Sequence, residues 1–192
     1  ISFEADTVPP QQWSFYTREF QKAGVNVNLY TPHIFRAHAK LFFKKNTEAL
    51  KAAGFNGYII RSLEAAFFLK MVLDKKENVK FIFDYNLYAF NSVSKRMLRE
   101  LGADRLTLPL ELNINELKNI DPEGMETLVY GRIPLMISAQ CLKKTSTGCD
   151  KRSETLMLKD RYNADMPVKN RCTFCYNTIY NSQTFSTLSL SR

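Results

Sequence analysis

The chain has 192 residues, 45% of them hydrophobic and 24% charged. That is the balance of a folded domain, or of part of a larger one, and not of a linker. Its 14 Phe and 9 Tyr exclude a disordered tail. Four cysteines are too few for a disulfide scaffold at this length, and all four lie between positions 141 and 175.

The net charge of +8 has two readings, an excess of surface lysine or attraction to a polyanion such as RNA. The basic residues come in small groups: Lys44 and Lys45, Lys75 and Lys76, Lys143 and Lys144, Lys151 and Arg152. No apolar run approaches the roughly 18–20 residues of a membrane span. The opening at Ile1, with no initiator Met, reads as a cut inside a longer protein.

Residues 1–24 read as a polar lead-in with a short helix over Gln11–Lys22 that ends at Gly24. Val25–Tyr30 alternates apolar and polar and predicts a strand. Residues 36–53 carry Leu41, Phe42, Ala49, Leu50 and Ala53 at helical spacing, closed by Gly54. Tyr58–Arg61 is a second strand, and Ser62 is the N-cap expected for a helix over Leu63–Leu73. Val79–Phe83 is a third strand, followed by a helix through Val93, Met97, Leu98 and Leu101 to Gly102. Arg105–Leu110 is a fourth strand. Asn113 and Glu116 form a capping box for a short helix. Glu126–Tyr130 is a fifth strand, with Leu135–Ser138 a separate short one.

Strand–helix alternation of this kind means βαβ units and a mostly parallel sheet. An open doubly wound sheet and part of a (β/α)8 barrel both fit. No G-x-G-x-x-G or G-x-x-x-x-G-K-[ST] follows any strand, which disfavours the nucleotide-binding open sheet. The expected fold class is therefore α/β, a partial (β/α)8 TIM-like barrel over residues 25–139 with about five parallel strands. A cysteine-rich extension over 140–182 follows, with strand-like patches at Thr155–Lys159 and Asp165–Lys169. A flexible tail over 183–192 closes the chain.

The cysteine spacing is C-x7-C-x22-C-x2-C, through Cys141, Cys149, Cys172 and Cys175. A C-x-x-C turns two thiolates toward one point, and Cys141 and Cys149 flank a turn at Gly148 that can supply two more. Four soft ligands fit tetrahedral Zn or a [4Fe–4S] cluster. A redox pair, two disulfides and inert thiols are the competing readings. His33 and His38 are five apart, off the spacing that puts two ligands on one helical face, and read as structural. Polar residues cluster just past the strand ends: Arg61, Asp84 with Asn86, Glu111 with Asn113, and Arg132. In a (β/α)8 barrel those ends build the active site, so Asp84 and Glu111 are candidate catalytic carboxylates. The competing reading is capping of the helices that follow. Lys143, Lys144, Lys151 and Arg152 are candidate contacts for RNA or another polyanion.

The stretch from Glu126 to Cys141 resembles the signature of the collagenase-like peptidases, peptidase family U32. Glu126, Gly131, Ile133 and Cys141 fall on signature positions. Leu128 stands for the usual Phe, Arg132 for a small residue, Pro134 for the first Cys, Ala139 for Gly and Lys144 for the closing Ser. Leu110-Glu111-Leu112-Asn113, Cys149, Asp160-Arg161-Tyr162, Pro167-Val168 and Cys172 to Asn177 extend the likeness to roughly residues 25–185. The resemblance implies a (β/α)8-like catalytic domain in a cytoplasmic protein, and a hydrolase, a protease acting on peptides. It also implies an alternative, iron–sulfur-dependent hydroxylation of RNA bases or of a small aromatic precursor. The four ligand roles then fall on Cys141, Cys149, Cys172 and Cys175. A third reading keeps Zn as a structural clip without catalysis. The absent N-terminal strands imply a partner for the sheet, either the missing half of the parent protein or a second chain.

Overall fold

The structure is a computed structural model that describes residues 1–73 and 79–187. Lys75, Lys76 and positions 188–192 of the expected tail lie outside the described residues. The chain divides into two units, residues 1–35 with 40–128 and residues 36–39 with 129–192.

In the first unit five short strands alternate with helices. The strands are β1 (Ser2–Glu4), β2 (Asn28–Tyr30), β3 (Gly57–Ile60), β4 (Lys80–Phe83) and β5 (Arg105–Leu106). All pair in parallel, in the order β1-β2-β3-β4-β5. This order separates the two expected architectures. A doubly wound sheet reverses its strand order at a switch point. A sheet whose strands follow one another without reversal, with right-handed crossovers, carries all its helices on one face, as a (β/α) barrel does. The unit is thus α/β with the strand order of a partial barrel.

The register shows what each face is made of. Leu29, Tyr58, Phe81 and then Ile60, Phe83, Leu106 line up across the ladder on one side. Of these, Leu29, Tyr58, Ile60, Phe83 and Leu106 are buried. They meet Trp13, Phe43 and Phe55 from the helical layer; Trp13 and Phe55 pack edge to face at 5.8 Å, as do Phe55 and Tyr58. Each such side chain, fully buried, contributes about 1.5–3 kcal/mol. The other face carries Ser2, Glu4, Asn28, Tyr30, Lys80 and Arg105, together with the buried Ile59 and Ile82. Gly57 sits in this row because a Cβ there would lie 2.8 Å from Asn28 Oδ1 and 2.9 Å from the Lys80 carbonyl.

The helices are α1 (Trp13–Lys22), α2 (Ala37–Lys45), α3 (Thr47–Ala52), α4 (Leu63–Val72), α5 (Ser92–Glu100) and α6 (Ile114–Asn119). Two sequence signals for helix starts hold in detail. Ser62 accepts from the Ala65 amide, and Asn113 and Glu116 exchange the reciprocal bonds of a capping box. The helix expected over 36–53 is two helices. Asn46 donates to the Phe42 carbonyl and Thr47 to the Phe43 carbonyl, and such side-chain bonds compete with the helical ladder.

Three strands differ from expectation. β1 falls in the stretch read as a lead-in, and at three residues it has no periodicity to read. β5 stops at Leu106 instead of Leu110; Pro109 has no N–H to give a ladder. The strand expected at 126–130 does not join this sheet. Asp121 and Gly124 both adopt positive φ just before it, and only Glu126 comes alongside, as an isolated parallel bridge to Thr107. The parallel sheet has five strands, but the fifth is β1.

The second unit is antiparallel. β7 (Pro134–Ser138), β8 (Thr155–Lys159), β9 (Asp165–Arg171) and β10 (Tyr176–Tyr180) form a sheet in the order β7-β10-β9-β8. β6 (Tyr130–Gly131) pairs separately with β11 (Phe185–Ser186), so part of the expected tail is ordered in a strand. The short helix α7 (Leu142–Ser146) starts at Cys141. β7 and β8 match their expected positions, β9 runs two residues further, and β10 was not foreseen. Val168, Asn170, Tyr176, Asn177 and Thr178 are its buried heart.

Candidate functional sites

In the first unit the chemistry gathers at the carboxyl ends of the strands. Glu4 closes β1, Tyr30 closes β2, and Arg61 and Asp84 follow β3 and β4. Arg61 Nε donates to Asp84 Oδ2 at 3.0 Å, and Nη1 donates to the two Glu4 oxygens at 2.8 and 2.9 Å. Its guanidinium carbon lies 4.0 Å from the centre of the Tyr30 ring. Asp84 Oδ1 also accepts from the Tyr85 amide, the capping contact of the competing reading. Asn86 donates to the Arg61 carbonyl, and its Oδ1 is buried without a hydrogen-bond partner among the described residues.

Burial opposes the charge on Arg61, but Glu4 and Asp84 outweigh it and the pKa is raised. Burial, then the Asp84 charge, raises the pKa of Tyr30. The Arg61 side chain is 11% exposed, so these ion pairs are largely shielded. The array offers fixed charge. Both Asp84 oxygens are engaged, which suits anchoring better than proton transfer. Glu111, the other candidate carboxylate, is exposed on the turn before α6 and stands outside this network.

In the second unit all four cysteines line one cavity of about 450 Å³, together with Lys144, Lys151, Arg171 and His38. All four are free thiols. The fold brings them there by three local devices. Cys141 caps α7, its Sγ accepting the Lys144 amide at 3.4 Å. Cys172 to Cys175 form the turn of the β9–β10 hairpin, with Cys175 at φ +57°. Cys149 follows Gly148 on a loop tied down by Lys143, whose ammonium lies 2.7 Å from both the Asp150 and Glu154 carboxylates. Burial pushes the Cys172 thiol pKa up, reinforced by the neighbouring Cys141 and Cys149. Hydrogen bonding to Asp150 and Glu154 raises the Lys143 pKa, and the bond from Lys143 lowers that of Asp150.

Among the described residues no group of three or more His, Cys, Asp or Glu side chains is arranged to hold a metal ion. The predicted basic group separates on inspection. Lys144, Lys151 and Arg152 are exposed, while Lys143 is 8% exposed and committed to its two carboxylates. Among the described residues no helix is long and apolar enough to cross a membrane.

Sequence reasoning passed over Glu4, Tyr30, Asn170 and Arg171, and read His38, which lines the cavity, as structural. Asn170 had a usable signal: it stands only two residues before Cys172.

A family model described as peptidase family U32 matches residues 14–155, and no curated protein and no solved structure matches. The matched span takes in Arg61, Asp84, Cys141 and Cys149, while Glu4, Cys172 and Cys175 lie outside it. With most of its length matched, the chain belongs to peptidase family U32.

Proposed function

We propose that Cys141, Cys149, Cys172 and Cys175 hold a [4Fe–4S] cluster that serves hydroxylation of an RNA base or a small aromatic precursor. The observation that carries this reading is four free thiols opening on one cavity. Four soft thiolate donors from two segments fit such a cluster, and they would equally fit Zn. When bound, such a cluster supplies one-electron transfer. The chain supplies the rest. Lys143 holds the Cys149 loop against α7. Lys144, Lys151 and Arg171 put positive charge on the cavity wall, which offsets thiolate charge and attracts phosphate or carboxylate. Glu4, Arg61 and Asp84 form a rigid charged anchor for a polar substrate where a (β/α) barrel builds its site. Free thiols fit a reducing compartment, hence the cytoplasm. β1 pairs on one side only among the described residues, and that edge is a place for a strand from further residues or a second chain.

Anaerobic purification and metal analysis test the reading. Iron and acid-labile sulfide in equal amounts, with broad visible absorption, are expected. A colourless protein holding one Zn would replace it with the structural clip.

A second reading, peptide hydrolysis, draws on the family and on His38, which brings an imidazole to the same cavity as the thiols. Gelatin cleavage lost in both Cys→Ser and His38→Ala variants would favour it. Cleavage that survives replacement of all four cysteines would remove any thiol mechanism.

A further inference from the structure

β9 and β10 set Asn170 and Asn177 directly opposite each other in the ladder. Both are withdrawn from water, at 2% and 0% exposed. A buried amide is destabilising unless its groups are partnered. Here the partners fix which way each amide faces. The Gln140 carbonyl can only accept, so it takes the Asn177 Nδ2 at 2.7 Å. That turns Asn177 Oδ1 toward Asn170, whose Nδ2 donates to it at 2.9 Å. The same Nδ2 reaches Cys141 Sγ at 3.3 Å, and Asn170 Oδ1 accepts from the Cys172 thiol at 2.7 Å. One buried amide therefore touches a sulfur from each half of the cysteine set. Ligation removes the Cys172 proton, so its contacts with Asn170 Oδ1 and the Arg152 carbonyl would have to open, whereas the donor contact to Cys141 does not depend on that proton.

We infer that Asn170, oriented by Asn177 and Gln140, is a positioning residue that donates an N–H···S hydrogen bond to Cys141 and so raises the reduction potential of the bound cluster. The inference rests on the four-cysteine cluster reading. An N–H donor stabilises the more negative, reduced state of a thiolate-bound cluster, and hydrogen bonds to the sulfurs are among the terms that set its potential. Asn177 acts one step further out. It holds the Asn170 donor in place without touching sulfur.

The test is a reduction potential, measured by anaerobic titration of the reconstituted full chain. Asn170→Ala should shift the reduction equilibrium about tenfold toward the oxidised state, ~59 mV for one electron. Asn177→Ala, which keeps the donor but frees its orientation, should shift it in the same direction by less. Thermal melts of the metal-free variants separate this from loss of fold. If wild-type protein takes up no iron and sulfide, the cluster reading falls and this inference with it. If it does, and Asn170→Ala keeps the wild-type potential, only this inference falls. Should Asn170→Ala fail to fold or load, a wild-type potential in Asn177→Ala overturns it equally.

Discussion

The two units treat their reactive groups in opposite ways. In the first, Glu4, Arg61 and Asp84 consume one another: the guanidinium is shared between two carboxylates and covered by Tyr30. In the second, four thiols point at a common cavity and none is paired to another. A satisfied charge cluster at the strand ends fixes geometry. A set of soft donors with no disulfide among them is disposed to take a ligand. The difference teaches where chemistry that needs an added group would sit, and where the scaffold supplies only charge and position.

The strongest way to break this contrast is to remove donors from the second unit. Cys172→Ser with Cys175→Ser should abolish iron and sulfide uptake while the protein stays folded, read by metal analysis and circular dichroism. Retained iron would show that the hairpin turn is not part of the site. In the first unit the expected loss is of stability. Arg61→Met leaves two shielded carboxylates without their partner and should cost about 3–5 kcal/mol in urea unfolding, the range for breaking a buried pair. A change below about 1 kcal/mol would mean the cluster is solvated like a surface pair.

Smaller effects sharpen the comparison. If the cavity's basic wall binds RNA, Lys144→Ala and Lys151→Ala should each reduce the slope of log affinity against log salt by about 1. Lys143→Ala should act differently, by loosening the Cys149 loop, because its charge is already spent on Asp150 and Glu154. The smallest expected effect is on Tyr30. Its folded pKa is raised above the unfolded value near 10. The unfolded chain therefore releases this proton first as pH rises. The stabilisation is full below about pH 10 and is lost as pH climbs through the folded value. Absorbance titration should show late tyrosine ionisation, and Tyr30→Phe should remove one tyrosine's share of it while keeping the ring over Arg61.

Much of this was legible from residue order, for a physical reason: helix ends and turns are decided by neighbours. Ser62 and Asn113 find their amide partners three residues on, Gly54 takes the positive φ that stops α3, and Cys172 and Cys175 share one turn because two residues separate them. The strand–helix rhythm likewise announced a parallel sheet. Other features needed the folded chain. Glu4 meets Arg61 across 57 residues, and no local pattern relates a short acidic strand end to an arginine two strands away. Lys143 looked like part of a basic surface, yet its neighbours in space, Asp150 and Glu154, withdraw it from that role. Asn170 and Asn177 are ordinary polar residues in sequence. Only the β9–β10 ladder buries them side by side and aims one amide at two sulfurs. Hydrogen-bond partners within a few residues follow from the backbone itself, whereas contacts across strands depend on a register that the whole sheet must agree on.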